Sequence, residues 1–375
     1  MRASVGGSPV PVSGRDFMRR IILERAVRQP QTLLLLCIFS IYLSGCEKDH
    51  AIDLQASNAF DRQQPTDIRV MSWNVKANSI FPPNGVRQES FARIVRAIDP
   101  DVIALQEVLR RELVAELTQL MNEYIPLENG GSWHVHGVSD NALVSRYPMR
   151  WRGGERAVPY PLPQFGLPDF YLGFASVLVD LPERFGATDL LLVATHKKSG
   201  GDMEDVRQRQ IHADTIVRWM RDIRDSDQSE EFADNTPVVI LGDMNAVPNA
   251  SLQPLETLLT GDIADEKTFG PDFRIDWDGT DMADANPSHN GLNHEYYTWR
   301  NDGEPFPPSA LDRILFTDSV MTVRRGFVMN TMTMSPEDLA NLGLQKTDAL
   351  YGRDPSYYDH LPLVVDFVLI STAPE

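Results

Sequence analysis

Five places in the 375-residue sequence put an amide, a carboxylate or an imidazole beside an apolar run. Ile68-Arg69-Val70-Met71-Ser72-Trp73 leads into Asn74, Val102-Ile103-Ala104-Leu105-Gln106 into Glu107, and the run from Leu190 to Thr195 into His196. Val239-Ile240-Leu241-Gly242 leads into Asp243-Met244-Asn245, and Tyr358-Asp359-His360 precedes the last apolar run. Hard oxygen donors with imidazoles, and no clustered thiolates, suit Mg²⁺ or Mn²⁺ acting on a phosphate and not a structural zinc site. Any one of these residues alone has a plainer reading, since an aspartate after a strand is commonly a helix cap and a buried histidine commonly a core hydrogen-bonding group.

Side chains can converge only if rigid elements hold them, and strand ends do this best in α/β folds. Strands are predicted at 68–73, 102–105, 142–145, 174–179, 190–194, 238–241, 311–316 and 363–370. Many are continuous apolar runs, as strands covered on both faces are. Phe91, Ile94, Val95 and Ile98 recur at helical spacing and stop before Asp99-Pro100, and Ala213, Ile216, Val217 and Met220 repeat the pattern. The four prolines between Pro159 and Pro168 predict a surface loop, and residues 265–310, rich in Asp, Asn, Gly and Pro, predict a long loop region broken by Tyr296–Trp299.

Read in chain order, Trp73-Asn74, Leu105-Gln106-Glu107, Thr195-His196, Gly242-Asp243-Met244-Asn245, Leu311-Asp312-Arg313-Ile314 and Asp359-His360-Leu361-Pro362 resemble the endonuclease/exonuclease/phosphatase superfamily, also called deoxyribonuclease I-like. Asn141 to Pro148, Tyr297-Thr298-Trp299 and a helix carrying Arg207, Arg209 and Gln210 add to the resemblance, which spans about residues 67–371. It implies a four-layer α/β sandwich, two packed mixed β-sheets with helices outside and the active site at one edge of the sheets. It also implies in-line attack of water on a phosphoester. In that reading Glu107 is the principal Mg²⁺ (or Mn²⁺) ligand, with Asn74 beside it and Asp359 completing the metal shell. Asp312 and His360 resemble the carboxylate–imidazole pair that activates water, and Asp243 is a competing candidate for the base. Asn245 would donate to phosphoryl oxygens, and His196 would stabilise transition-state charge or protonate the leaving oxygen. The alternative for Asp312 and Asn74 is that they only organise the hydrogen bonds behind the site. Lys197, Lys198 and Arg146 could contact phosphates, although a basic pair on a loop is more often just solvated.

The amino-terminal stretch reads as an address. Residues 1–30 carry six arginines against Asp16 and Glu24, the apolar run Leu33–Leu43 follows, and Leu43-Ser44-Gly45-Cys46 resembles a bacterial lipobox. Residues 1–45 are therefore expected to be a lipoprotein signal peptide, Cys46 the lipidation site, 46–66 a tether and 67–371 the catalytic domain. Glu47 after the cysteine favours the outer membrane of the cell envelope. The whole chain has 35 Lys+Arg against 53 Asp+Glu, net −18, and without residues 1–45 it has 29 against 51, net −22. Such acidity excludes binding nucleic acid through a broad basic face, because counterion release needs many cations at the contact. It leaves a metal-centred site open.

The expected substrate is a phosphodiester. His196 follows the pattern of the nucleases, sphingomyelinases and inositol-phosphate phosphatases of the superfamily, and differs from the abasic-site repair branch. The reading is an envelope nuclease, monomeric and membrane-held through its lipid, with a phospholipid or sphingolipid phosphodiesterase acting on a lipid head group, or an inositol-phosphate phosphatase, as alternatives. A catalytically silent binding module would show erosion of the motif set, and every proposed position is chemically competent.

Overall fold

Runs such as 190–195 are apolar at successive positions, and successive side chains of a strand point to opposite faces, so these strands need cover on both sides. The computed structural model describes residues 60–370 apart from 82–86, 110–111, 129, 153–172, 187, 226–231, 248–251 and 293. The signal segment 1–45, Cys46, the tether up to residue 59 and the proline-rich stretch 159–168 lie outside the described residues.

The strands are β1 (Ile68–Asn74), β2 (Val102–Gln106), β3 (His134–Val138), β4 (Asn141–Ser145), β5 (Met149–Arg152), β6 (Phe174–Val179) and β7 (Leu190–His196), followed by β8 (Val238–Asp243), β9 (Ala283–Asp284), β10 (Trp299–Asn301), β11 (Asp312–Phe316), β12 (Met321–Val328), β13 (Tyr357–His360) and β14 (Leu363–Leu369). The helices are α1 (Gln88–Ile98), α2 (Leu113–Tyr124), α3 (Met203–Asp225), α4 (Pro254–Thr260), α5 (Glu266–Phe269) and α6 (Pro336–Leu342). All eight strands and both helices read from the sequence are present. The region 265–310 contains α5, β9 and β10, elements too short to give a periodic signal.

Two six-stranded sheets form, in the orders β12-β14-β1-β2-β4-β3 and β5-β6-β7-β8-β11-β9, with β10 and β13 as a separate ribbon. Each sheet is mixed: β1 with β2 and β7 with β8 are parallel, while the other pairs are antiparallel. Leu190, Leu192 and Ala194 of β7 belong to the core that joins both sheets, along with Phe91 of α1 and Leu117 of α2. Leu191 and Val193 belong to a second core with Ala213, Ile216, Val217 and Met220 of α3. The order of layers is therefore helix, sheet, sheet, helix, the four-layer α/β sandwich. Helix α1 buries Phe91, Ile94, Val95 and Ile98 and ends at Asp99, whose φ of 54° is left-handed and whose N–H donates to Val95 O, just before Pro100. Among the described residues, no helix is long and apolar enough to cross a membrane.

Candidate active site

Register alone brings three of the expected residues into a row. His196 at the end of β7 pairs with Asp243 at the end of β8, and Asp243 pairs with Asp312 at the start of β11. Gly242 makes the close approach of β7 and β8 possible: its φ is +138°, and a Cβ there would lie 1.9 Å from Thr195 O. From the other sheet, Asn74 ends β1 opposite Gln106 of β2, with Glu107 next in the chain. His360 arrives on the β10–β13 ribbon, paired with Trp299, and its carbonyl accepts from Trp73 Nε1 at 3.0 Å.

Asp243 is the hub. Its Oδ2 lies 3.5 Å from His196 Nε2, 3.5 Å from His360 Nε2 and 3.1 Å from Asn74 Nδ2, while Oδ1 accepts Asn245 N–H at 2.9 Å. Each imidazole is held from behind by its own carboxylate, His360 Nδ1 to Asp312 Oδ2 at 2.7 Å and His196 Nδ1 to Asp140 Oδ2 at 2.5 Å. Asn74 Nδ2 also donates to Glu107 Oε1 at 3.0 Å, and Asn74 Oδ1 accepts Lys76 N–H at 3.0 Å. Asn245 Nδ2 donates to Lys197 O at 2.9 Å. Glu107 Oε2 accepts Ala77 N–H at 2.7 Å.

The backbone that aims these groups is unusual. Lys76, Ala77, Asn78, Glu107, Asn245 and Asp359 all have φ between 44° and 61°, the left-handed region that L side chains avoid at a cost of about 1–2 kcal/mol each. Asn78 ties two of these turns together, its N–H donating to Glu107 O and its Nδ2 to Leu109 O.

Burial would lower both imidazoles, but carboxylates outweigh it. The charges of Asp312 and Asp243 with the Asp312 hydrogen bond push His360 up to about 10, and the Asp140 hydrogen bond with the charge of Asp243 pushes His196 up to about 9. The carboxylates thus bias both rings toward the charged form, with both Nε2 atoms turned to one carboxylate.

These groups open into a pocket of about 540 Å³ lined by Lys76, Glu107, His196, Asp243, Asn245, Asp359 and His360 on one side and by Trp299, Phe306, Pro307 and Leu311 on the other. A divalent cation fits the donor set. Among the described residues each Glu107 oxygen accepts one hydrogen bond and retains a lone pair, and Asp312 Oδ1 is buried without a partner. Ligand atoms of Asp243, Asp312 and His360 lie within 4.8 Å of one another. All these donors are oxygen or imidazole, as hard divalent ions require.

The sequence profile of the Endonuclease/Exonuclease/phosphatase family matches residues 71–335. The chain belongs to this family. Several solved structures are similar to this chain. A family protein from Bacteroides thetaiotaomicron is 17% identical, with a TM-score of 0.51 over 82% of this chain and 100% of that one. The human Nocturnin catalytic domain with bound sulfate is 17% identical, with a TM-score of 0.45 over 81% and 95%. TDP2 of D. rerio in complex with a single-strand DNA product is 14% identical, with a TM-score of 0.45 over 80% and 98%. Among curated proteins, none matches the sequence. Enzymes of the Endonuclease/Exonuclease/phosphatase family hydrolyse phosphoester bonds and use divalent metals.

Within that family frame, the structure brings all eight expected side chains to one end of the sheets and adds some that sequence reasoning missed. Asp140, the partner of His196, sits in the turn before β4, and its position just ahead of Asn141 in the family-like stretch was the available signal. Lys76 and Tyr357 line the pocket and were not anticipated. Asp359 meets Lys76 Nζ at 3.3 Å. Two expectations are corrected. Lys197 is 1% exposed, packed behind the site with no hydrogen-bond partner for Nζ among the described residues, and burial with the charge of Arg209 pushes it down to about 7. The alternation of β7 explains this, because His196 faces the pocket and its neighbour must face α3. Arg146 lies at the opposite end of the sheets, partly exposed and bonded to Asp99 and to Pro100 O, away from the pocket where a phosphate would sit.

Proposed function

We propose that the chain is a metal-dependent phosphodiesterase of the cell envelope, anchored through Cys46, acting most readily on nucleic acid. The observation that carries the reading is the paired arrangement in which His196 and His360, each backed by an aspartate, present Nε2 to the same oxygen of Asp243. Glu107, with Asn74 beside it, would hold the divalent ion, which supplies charge neutralisation at the phosphate.

The protein groups divide the proton work. Asp243 takes a proton from the attacking water as its oxygen bonds phosphorus. His196 gives its Nε2 proton to the leaving oxygen as the phosphorus–oxygen bond breaks. His360, held by Asp312, stays charged and stabilises the phosphoryl oxygens, and Asn245 adds an amide donor at the pocket wall. Asp243 is preferred over His360 as the base because its Oδ2 lies between the two imidazoles at the pocket, while Asp312 and Asp243 hold the His360 ring toward its charged form.

A lipid-directed reading is favoured by one feature, the expected membrane anchor. The test is to assay the purified full-length chain with Mg²⁺ on plasmid DNA, RNA, sphingomyelin vesicles and bis(4-nitrophenyl) phosphate. Cleavage of nucleic acid that stops on chelation and in His360→Ala is expected. Cleavage of sphingomyelin alone would overturn the nuclease reading, and activity indifferent to chelation would overturn the metal.

A further inference from the structure

Asp359 was expected to complete the metal shell, and its surroundings argue for another task. The Asp359 oxygen with a partner, Oδ1, is 3.3 Å from Lys76 Nζ and 3.5 Å from the Tyr357 hydroxyl. Oδ2 is buried with no hydrogen-bond partner among the described residues, and Oδ1 is the oxygen committed to the ammonium. The ammonium is held on its other sides by aromatic rings, 5.8 Å from the centroid of Tyr351 and 5.7 Å from that of Tyr357. Those two rings brace each other edge to face at 5.6 Å. Lys76 is still about a third exposed and lines the pocket, so the cage has an open mouth toward substrate.

A second cation reinforces this corner. Arg87 is 3% exposed, stacks 5.0 Å from the Trp73 ring, and acts electrostatically on Asp359. The nearby carboxylate of Asp348 is already engaged by Arg93, at 3.0 and 2.7 Å. Two positive charges thus act on the Asp359 carboxylate here, the reverse of the Glu107–Asp243 corner of the same pocket.

We propose that Lys76 is a specificity-determining residue whose ammonium, caged by Asp359, Tyr351 and Tyr357, binds a second phosphate of the substrate adjacent to the scissile one, and that Asp359 anchors this lysine and does not ligate the metal. The inference rests on the phosphodiesterase reading and sharpens it. A nucleic-acid chain carries a phosphate on the next nucleotide, whereas a choline head group would bring a cation against an ammonium.

Two measurements on the full-length chain test it. In steady-state kinetics, Lys76→Met is expected to raise KM for a thymidine oligonucleotide about tenfold, the loss of one charge-assisted contact. Its kcat stays within about threefold, and kcat/KM on bis(4-nitrophenyl) phosphate, which has one phosphate, changes less than about threefold. Lys76→Arg restores most of the oligonucleotide KM. Equal losses on both substrates overturn the proposal. In Mn²⁺ binding followed by electron paramagnetic resonance, Glu107→Gln is expected to weaken affinity tenfold or more and Asp359→Asn less than about threefold. A tenfold loss in Asp359→Asn overturns the proposal while leaving the phosphodiesterase reading intact. A wild-type chain that cleaves neither substrate breaks that reading and this inference with it.

Discussion

At the end of the sheets away from the pocket, Arg69 donates to both oxygens of Asp366 at 2.6 and 2.7 Å and to Ile98 O at 2.7 Å. Asp101 there accepts from Arg62, from Arg69 N–H at 2.8 Å and from the Tyr147 hydroxyl at 2.6 Å, while Asp67 accepts from Arg324 at 2.7 Å. At the pocket end, Asp312 Oδ1 has no partner among the described residues, and Asp243 meets two imidazoles at 3.5 Å, too long for good hydrogen bonds. Both ends bury charge, but one is closed by planar, bidentate guanidinium contacts and the other is left short of them. The contrast separates charge that fixes the fold from charge held ready for a ligand.

The sharpest way to break this contrast is to delete one charge at each end. Asp243→Asn is expected to lower kcat about 10³-fold or more, with unfolding free energy unchanged or higher, because it relieves an under-satisfied site. Parallel rate measurements and urea denaturation check both halves. Arg69→Ala is expected to do the reverse, costing about 3–5 kcal/mol of stability by stranding buried Asp366, with kcat of the remaining folded protein little altered.

Smaller effects sharpen the picture behind the pocket, where Lys197 is buried without a hydrogen-bond partner. Lys197→Met keeps the length and removes the amine, and is expected to stabilise the chain by about 1–3 kcal/mol at pH 7. A rise in thermal midpoint would show it. Nearby His212 is fully buried, and burial, aided by the charges of Lys197 and His196, holds it well below its ordinary value. Its contribution is fully present above about pH 6.5, where the unfolded imidazole is also neutral, and is lost as pH falls toward the folded value, because the unfolded chain then binds the proton first. The slope is at most about 1.4 kcal/mol per pH unit. Denaturant unfolding at pH 7.5 and 5.5 measures it, and His212→Gln should flatten the difference.

Much of this was legible in the residues themselves. Apolar runs long enough to be buried on both faces marked the central strands, and the polar residue closing each run marked the pocket end. The β3, β5, β9, β10, β12 and β13 strands escaped because they are short or carry His, Trp, Arg, Gly, Tyr and Asp in place of an apolar alternation. Within the site, Asn74, Glu107, His196, Asp243 and His360 were visible because each ends or borders a run. Asp140 lies in the turn before a strand and was not. Lys197 was misread because a Lys-Lys pair looks solvated until the phase of β7 fixes which way each side chain turns. The pairing of Lys76 with Asp359 joins residues 283 positions apart, and no local pattern encodes it.

The left-handed residues that aim Glu107, Asn245 and Asp359 have a further consequence. They gather unfavourable backbone torsions around the pocket, while the sheets behind it are held by long-range strand pairing. The turns are thus the first part of the molecule to gain by relaxing when temperature or denaturant weakens the packing around them. Inactivation would then precede unfolding, with catalysis fading in a chain whose β-sheet signal is still intact.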